Sequence, residues 1–273
     1  MADPPIDDSL WIRFLTLIAV RVLTQTYLQR FWKHPGGVLF VSKFCIKIRP
    51  FANLAEAHTM RFLSHHTSIP VPKIHCAFIY RGRSYTVMEK IAGERAGQAW
   101  AQRSEESREK IVGQLRSIIR QLRAVSPPAG AGVANILGGP IYDARLPGES
   151  LRGPFSTVDN FHKSLRNGIT LEGHHGVPGD LQELATFHKQ ASSRSVLTHG
   201  DLSSLNILVR GDEVVGIIDW ETAGWLPLYW EYTCAWNVNP QNEFWRHEVD
   251  KFLTPMQHEL RMEGIRRKYF GDF

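Results

Sequence analysis

Cysteine is scarce: Cys45, Cys76 and Cys234 lie far apart and make no C-x-x-C pair, so nothing suggests zinc or thiol redox work, and an intracellular, cytoplasmic protein with reduced thiols is expected. Polybasic tracts are also missing. The densest basic run, Arg266-Arg267-Lys268, has the pattern of a solvated helix face, so the formal charge of +5 fits a small anionic ligand such as a nucleotide and no nucleic-acid partner is expected. No apolar run reaches the about 20 residues of a spanning helix, because Arg13 and Arg21 interrupt Leu10–Leu23. That segment is expected to be a helix packed on the N-terminal part of the fold, without membrane contact. The acidic opening MADPPIDD is the reverse of a secretory n-region, so no cleavable signal is predicted. Repeats and low-complexity tracts are absent.

What is there is the composition of a folded enzyme, with 43% hydrophobic and 22% charged residues over 273 positions. After the leading helix, Val38–Val41 and 44–48 read as strands, the second carrying Lys47 between Ile46 and Ile48. Asn53 then caps a helix with Glu56 in its first turn. Pro70 and Pro72 force an extended connector. Two further strands surround the turn Arg81-Gly82-Arg83. The glycine-containing stretch Ile91-Ala92-Gly93 marks a boundary between lobes spanning 1–92 and 93–273. Ser104 starts a long helix with Ile111, Leu115, Ile118 and Leu122 at helical spacing. Residues 127–180 predict long loops with short helices, and 181–190 another helix.

The chemistry concentrates in VLTHGDLSSLNILVRGDEVVGIIDWETAG, residues 196–224. Two β-type runs, 207–209 and 214–218, flank the turn Arg210-Gly211-Asp212-Glu213, so a hairpin returns Asp219 close to Asn206. Phosphoryl transfer needs this set of groups. Asn206 and Asp219 offer the oxygens that Mg2+ takes beside phosphate, Asp201 is placed to accept an acceptor hydroxyl's proton, and Lys47, paired with Glu56, is the candidate phosphate cation. The structural alternatives are local loop bonds for Asp201, Asn206 and Asp219, and a solvent-directed stem for Lys47.

With those residues in view, His199-Gly200-Asp201-(x4)-Asn206 and Ile217-Ile218-Asp219-Trp220-Glu221 resemble the signature of the aminoglycoside phosphotransferase and choline kinase family. Ala223-Gly224-Trp225-(x)-Pro227-(x)-Tyr229-Trp230-Glu231-Tyr232 is similar to the fungal branch of that family, as are LAEAHTMRFL, TSIPVPKI and YTVMEKIAGE. The resemblance covers residues 38–240. It implies an α+β, bilobal protein-kinase-like fold with a small β-rich N-terminal lobe and a larger, mainly helical C-terminal lobe. It also implies an ATP- and Mg2+-dependent kinase of a small-molecule alcohol. By that resemblance Asp201 is the catalytic base, Asn206 and Asp219 the metal ligands, and Lys47 the phosphate lysine with Glu56 as its partner. Backbone from Glu89 to Ile91 would hold the adenine edge, with Met88 behind the base and His199 shaping the loop.

Two departures stand out. Only Gly36-Gly37 stands near the first strand, with no G-x-G-x-x-G, and Ser203-Ser204-Leu205 replaces the family's frequent His-Pro-Arg. These keep a catalytically weak nucleotide-binding module as the alternative. A protein kinase is the less favoured one, for want of H-R-D, D-F-G and A-P-E segments. Trp220, Trp225, Trp230, Trp236 and Trp245 cluster with Tyr229 and Tyr232. Helix packing is the main reading, and an aromatic acceptor wall built on Trp225 and Tyr229 the functional one. The paired histidines His65-His66 and His174-His175 read as surface residues. Residues 143–180 mix Asp143, Glu149, Asp159, Glu172 and Asp180 with Arg145, Arg152, Lys163 and Arg166, so the acceptor's charge stays open.

Overall fold

The structure, a computed structural model, describes residues 3–24, 33–34, 37–143, 145–146, 151–169, 176–237 and 243–271. Gly36, His174, His175, Glu149 and Glu172 lie outside them.

Ser9 accepts the Ile12 N–H through its hydroxyl and so starts α1, Leu10–Leu23. One side of α1 packs as expected: Leu17 and Val20 meet Cys76, Phe78 and Tyr85, and the Arg13 guanidinium lies 5.1 Å from the Phe78 ring centre. Its opposite side leaves Leu10, Trp11, Phe14, Leu15 and Ile18 exposed. Among the described residues no helix is long and apolar enough to cross a membrane.

Next come β1 (Lys33–His34), β2 (Val38–Val41), β3 (Phe44–Arg49), α2 (Ala55–His66), β4 (Ile74–Tyr80) and β5 (Arg83–Glu89). The strands form one antiparallel sheet in the order β1-β2-β3-β5-β4. The two-residue β1 is an addition to the strands legible in the sequence. β3 is central, so Lys47 is flanked by Val38 and Thr86 in register and is buried, not directed to solvent from an edge. The N-cap of α2 is Leu54, one residue after the expected Asn53, and Asn53 accepts the Ala55 N–H at 2.8 Å from outside the helix. Ala57, Met60 and Leu63 are its buried face, while His65 and His66 are exposed.

After the five-stranded sheet come β6 (Glu94–Arg95) and two short 3-10 turns, Ala96–Gln98 and Trp100–Gln102, before α3 (Glu105–Ala124). Ser104 caps α3, and its Ile111, Leu115, Ile118 and Leu122 enter the main core, each contributing about 1.5–3 kcal/mol by burial. Short elements follow: β7 (Ile141–Tyr142), β8 (Leu151–Arg152) and α4 (Val158–Leu165). Then come α5 (Gly179–Gln190), β9 (Ser195–Thr198), β10 (Ile207–Arg210), β11 (Glu213–Ile217) and β12 (Gly224–Pro227). α6 (Trp230–Trp236), α7 (Trp245–Phe252) and α8 (Gln257–Phe270) close the chain. β6 extends the β10–β11 hairpin to three strands, and β12 pairs with β9.

Candidate active site

The hairpin turn is tied to α3, where Ser107 donates to Asp212 at 2.7 Å and Gln114 donates to the Asp212 carbonyl at 2.7 Å. At its open end Ile207 faces Ile217, and the Ile218 N–H donates to the Asn206 carbonyl at 2.9 Å. Asn206 and Asp219 therefore emerge side by side. Asp219 adopts φ 66°, a left-handed conformation that Asp tolerates, which turns its chain out of the strand direction. The Asn206 amide nitrogen is consumed by Asp201, donating to its carbonyl at 2.8 Å and its carboxylate at 2.9 Å. The amide oxygen remains for a hard cation, and with the Asp219 carboxylate it fits the oxygen-donor chemistry of Mg2+ completed by phosphate.

The loop holding Asp201 is braced through its backbone. His199 Nδ1 accepts the Asp201 N–H at 3.1 Å, so the ring's proton sits on Nε2, which donates to the Ile218 carbonyl at 3.0 Å. His199 thus shapes the loop and keeps no free nitrogen. Glu231, fully buried, accepts the His199 N–H at 2.7 Å and the Gly200 N–H at 3.1 Å. At the next peptide, Gly200–Asp201, Arg145 donates to the Gly200 carbonyl while bonded twice to Asp143 at 2.8 Å. Gly200 has φ +81°, and a Cβ there would lie 2.9 Å from the Thr222 carbonyl. Only glycine fits. Burial pushes the Asp201 carboxyl above its ordinary value, and Arg145 is the strongest of the charges pulling it back.

From the sheet lobe, Lys47 reaches Glu56 at 2.6 Å, Asp219 at 2.5 Å and Glu221 at 3.1 Å. Burial alone would depress its ammonium, but these carboxylates hold its pKa above the ordinary value. Burial raises Glu56, with Lys47 opposing, whereas for Asp219 the pull of Lys47 overcomes burial and its pKa is lowered. Arg49 pairs with Glu221 and lies 3.8 Å from Asp219.

A cleft of about 630 Å³ joins these groups, with Lys47, Asn206 and Asp219 at one end and Glu89, Lys90 and Ile91 at its rim. Val38, Met88 and Leu208 contribute apolar wall. The volume suits a nucleotide-sized ligand. At the rim the Glu89 and Lys90 N–H groups are taken by the carbonyls of Lys73 and Lys43, both at 2.9 Å. The Ile91 N–H has no partner among the described residues.

A sequence model of the phosphotransferase enzyme family matches residues 42–264. The chain belongs to that family. Solved structures agree on the fold. A thermostable variant of aminoglycoside phosphotransferase APH(4)-Ia, in ternary complex with ADP and hygromycin B, superposes with a TM-score of 0.55 at 16% identity, over 85% of this chain and 77% of its own. Spectinomycin phosphotransferase APH(9)-Ia, with ADP and spectinomycin, gives 0.51 at 15% identity over 86% and 79%. The gentamicin complex of APH(2'')-IIa gives 0.52 at 17% identity over 93% and 84%. No curated protein matches the chain by sequence. The bilobal protein-kinase-like fold expected from the sequence is the one found.

In this phosphotransferase the structure brings Lys47, Glu56, Asn206 and Asp219 to one end of the cleft, with Asp201 bonded to Asn206, and sets Met88, Glu89 and Ile91 along it. It does not bring Trp225 or Tyr229 there. Trp225 is 3% exposed in the main core, and Tyr229 is 5% exposed with its hydroxyl 2.8 Å from His162 Nε2. Both rings follow the packing alternative: Trp225 lies on β12, which pairs with β9 inside the main core, and Tyr229, at the start of α6, packs in a second cluster with Phe161, Leu226 and Trp230. Glu231, Arg145, Thr222, Arg49 and Glu221 are members of the phosphotransferase site that sequence reasoning gave no role. Glu231 and Arg145 act on backbone groups far along the chain, which leave no side-chain motif to read.

Proposed function

We propose that this phosphotransferase moves the γ-phosphoryl group of ATP to a hydroxyl of a small molecule, with residues 1–92 holding the nucleotide and 93–273 carrying the catalytic loop and the acceptor. The observation that carries this reading is the convergence of a buried lysine and an Asn–Asp oxygen pair on one nucleotide-sized cleft, with a loop aspartate bonded to that Asn. The ADP in the two solved relatives supports the nucleotide.

Each residue then has a chemical task. Lys47 binds phosphate oxygens, held by Glu56; the free Ile91 N–H meets the acceptor edge of adenine, with Met88 packed behind the base and Glu89 beside it. Mg2+, when held by the Asn206 amide oxygen, Asp219 and phosphate oxygens, supplies charge neutralisation at the transferring group. Asp201 orients the acceptor O–H and takes its proton. The acceptor oxygen forms its bond to the γ-phosphorus as the bond to the β,γ-bridging oxygen breaks, and that electron pair leaves with ADP. Only ten residues separate Asp219 from the start of α6. That leaves no segment on which to lay a peptide, which favours a small acceptor over a protein.

Asp201→Asn tests the assignment. Turnover should fall about 10²–10⁴-fold, the worth of general-base catalysis, with Mg–ADP affinity measured by calorimetry preserved. Near-normal turnover with chemistry limiting the rate would remove Asp201 from the reaction and favour a non-catalytic role for the fold.

A further inference from the structure

Relatives that act on aminoglycosides handle polycations, and a cationic acceptor would need free carboxylates around the reacting hydroxyl. Among the described residues the carboxylates near Asp201 are already engaged. Asp143 is 2% exposed and bonded twice to Arg145; Glu56 and Glu221 carry Lys47 and Arg49; Asp219 faces Lys47. What lies open beside Asp201 is instead a guanidinium edge. Arg145 spends Nε and Nη2 on Asp143 and Nη2 again on the carbonyl of Gly200, the residue before Asp201. Its Nη1 has no partner among the described residues and is not enclosed, the side chain being 29% exposed.

We infer that Arg145 is the acceptor-site cation, and that the acceptor is an alcohol carrying an oxyanion, carboxylate or phosphate, a few bonds from the hydroxyl presented to Asp201. The inference rests on the phosphotransfer reading above. A short reach follows from the chain itself. Arg145 bonds the peptide adjoining Asp201, and consecutive Cα atoms stand about 3.8 Å apart, so the two ends of the acceptor are bound within one small molecule's length. Arginine suits the task because a planar guanidinium already fixed on two edges loses little freedom when a third edge takes an anion. Asp143 supplies that fixation. It positions Arg145 and neutralises it enough to remain within the lobe, while the open edge keeps its donors.

The test uses the full chain with Mg–ATP radiolabelled in the γ-phosphoryl group. A metabolite extract is first split on ion exchangers into anionic, neutral and cationic pools, and each pool is screened for label transfer. Transfer should appear in the anionic pool. Pretreating that pool with a phosphatase, then removing it, tells a carboxylate acceptor, which survives, from a phosphate monoester, which does not. On the purified acceptor, Arg145→Gln removes the charge while its shorter amide keeps a donor toward Asp143, and should raise the acceptor KM by about 10- to 100-fold, the range of a charged hydrogen bond, with the ATP KM unchanged. Arg145→Lys should recover part of that loss. Transfer confined to the cationic or neutral pool overturns the inference and leaves the phosphotransferase reading standing. So does an Arg145→Gln enzyme, folded by its melting curve, that loses kcat or ATP affinity with the acceptor KM unmoved. No transfer in any pool would end both readings together.

Discussion

Glu231→Gln isolates a carboxylate that holds the backbone of the loop carrying Asp201, the proposed base. Its two oxygens take the N–H groups of His199 and Gly200 at 2.7 and 3.1 Å in a fully buried setting. Glutamine keeps the shape and one oxygen, so one amide remains satisfied, but the other meets an NH2 group, donor against donor. Losing one charge-assisted bond of this kind costs about 1.5–3 kcal/mol. For a chain of 273 residues, with an unfolding entropy of about 2.1 cal/mol/K per residue, that lowers the melting temperature by about 3–5 °C. The kinetic effect should be larger. The same amides set Asp201, the next residue, and a displacement near 1 Å in a catalytic group costs about 10²-fold, so kcat should fall by about 10- to 100-fold. Mg–ADP affinity should hold, because Lys47 and the rim are untouched. Differential scanning calorimetry, steady-state kinetics and titration with Mg–ADP read the three quantities. Unchanged turnover and melting would refute the bracing role, and a loss confined to nucleotide affinity would place Glu231 in the wrong part of the site.

Three further predictions concern the interior. His162 and His188 stack at 4.2 Å, and burial lowers their pKa values to about 4 and about 2 from 6.5. Both are neutral when folded and protonate on unfolding below pH 6.5, so the stability present above that pH is lost as pH falls toward 4, by about 1.4 kcal/mol per pH unit for each ring. Urea melts across that range should show the slope, and His162→Phe should reduce it by about half; a wild-type slope near zero would contradict the burial. Tyr229→Phe strands His162 Nε2 and should cost about 1–3 kcal/mol. Trp225→Leu should cost about 2–4 kcal/mol from the core. Neither should change the acceptor KM, and a raised KM at normal melting temperature would return that ring to the acceptor site.

How legible the protein is depends on how local each feature is. β2 has the bounds its sequence announces, and the Asn206–Asp219 juxtaposition follows from a short hairpin whose turn and alternation are both explicit. The Lys47–Glu56 pair is readable because a strand lysine and a first-turn glutamate are nine positions apart. The backbone clamp on Gly200 is not. Glu231 bonds an amide 31 residues back and Arg145 a carbonyl 55 residues on. Only the folded lobe relates them, and a peptide group has no residue type to betray it. The direction of Trp225 was equally closed, since it depends on β12 pairing with β9, a four-residue strand 29 positions earlier. For α1 the pattern gives a helix but not how little of its apolar surface the sheet covers.

The knot around Lys47 bears on how a ligand enters. Glu56 comes from one lobe and Asp219 and Glu221 from the other, so a single ammonium latches the two halves across their own mouth. A nucleotide does not fill a waiting void there. On the proposed reading it would trade counter-ions: its phosphates would take Lys47 from Asp219, and the cation it brings would offer Asp219 a replacement. Net affinity is then the difference between two sets of ion pairs, one of them already closed.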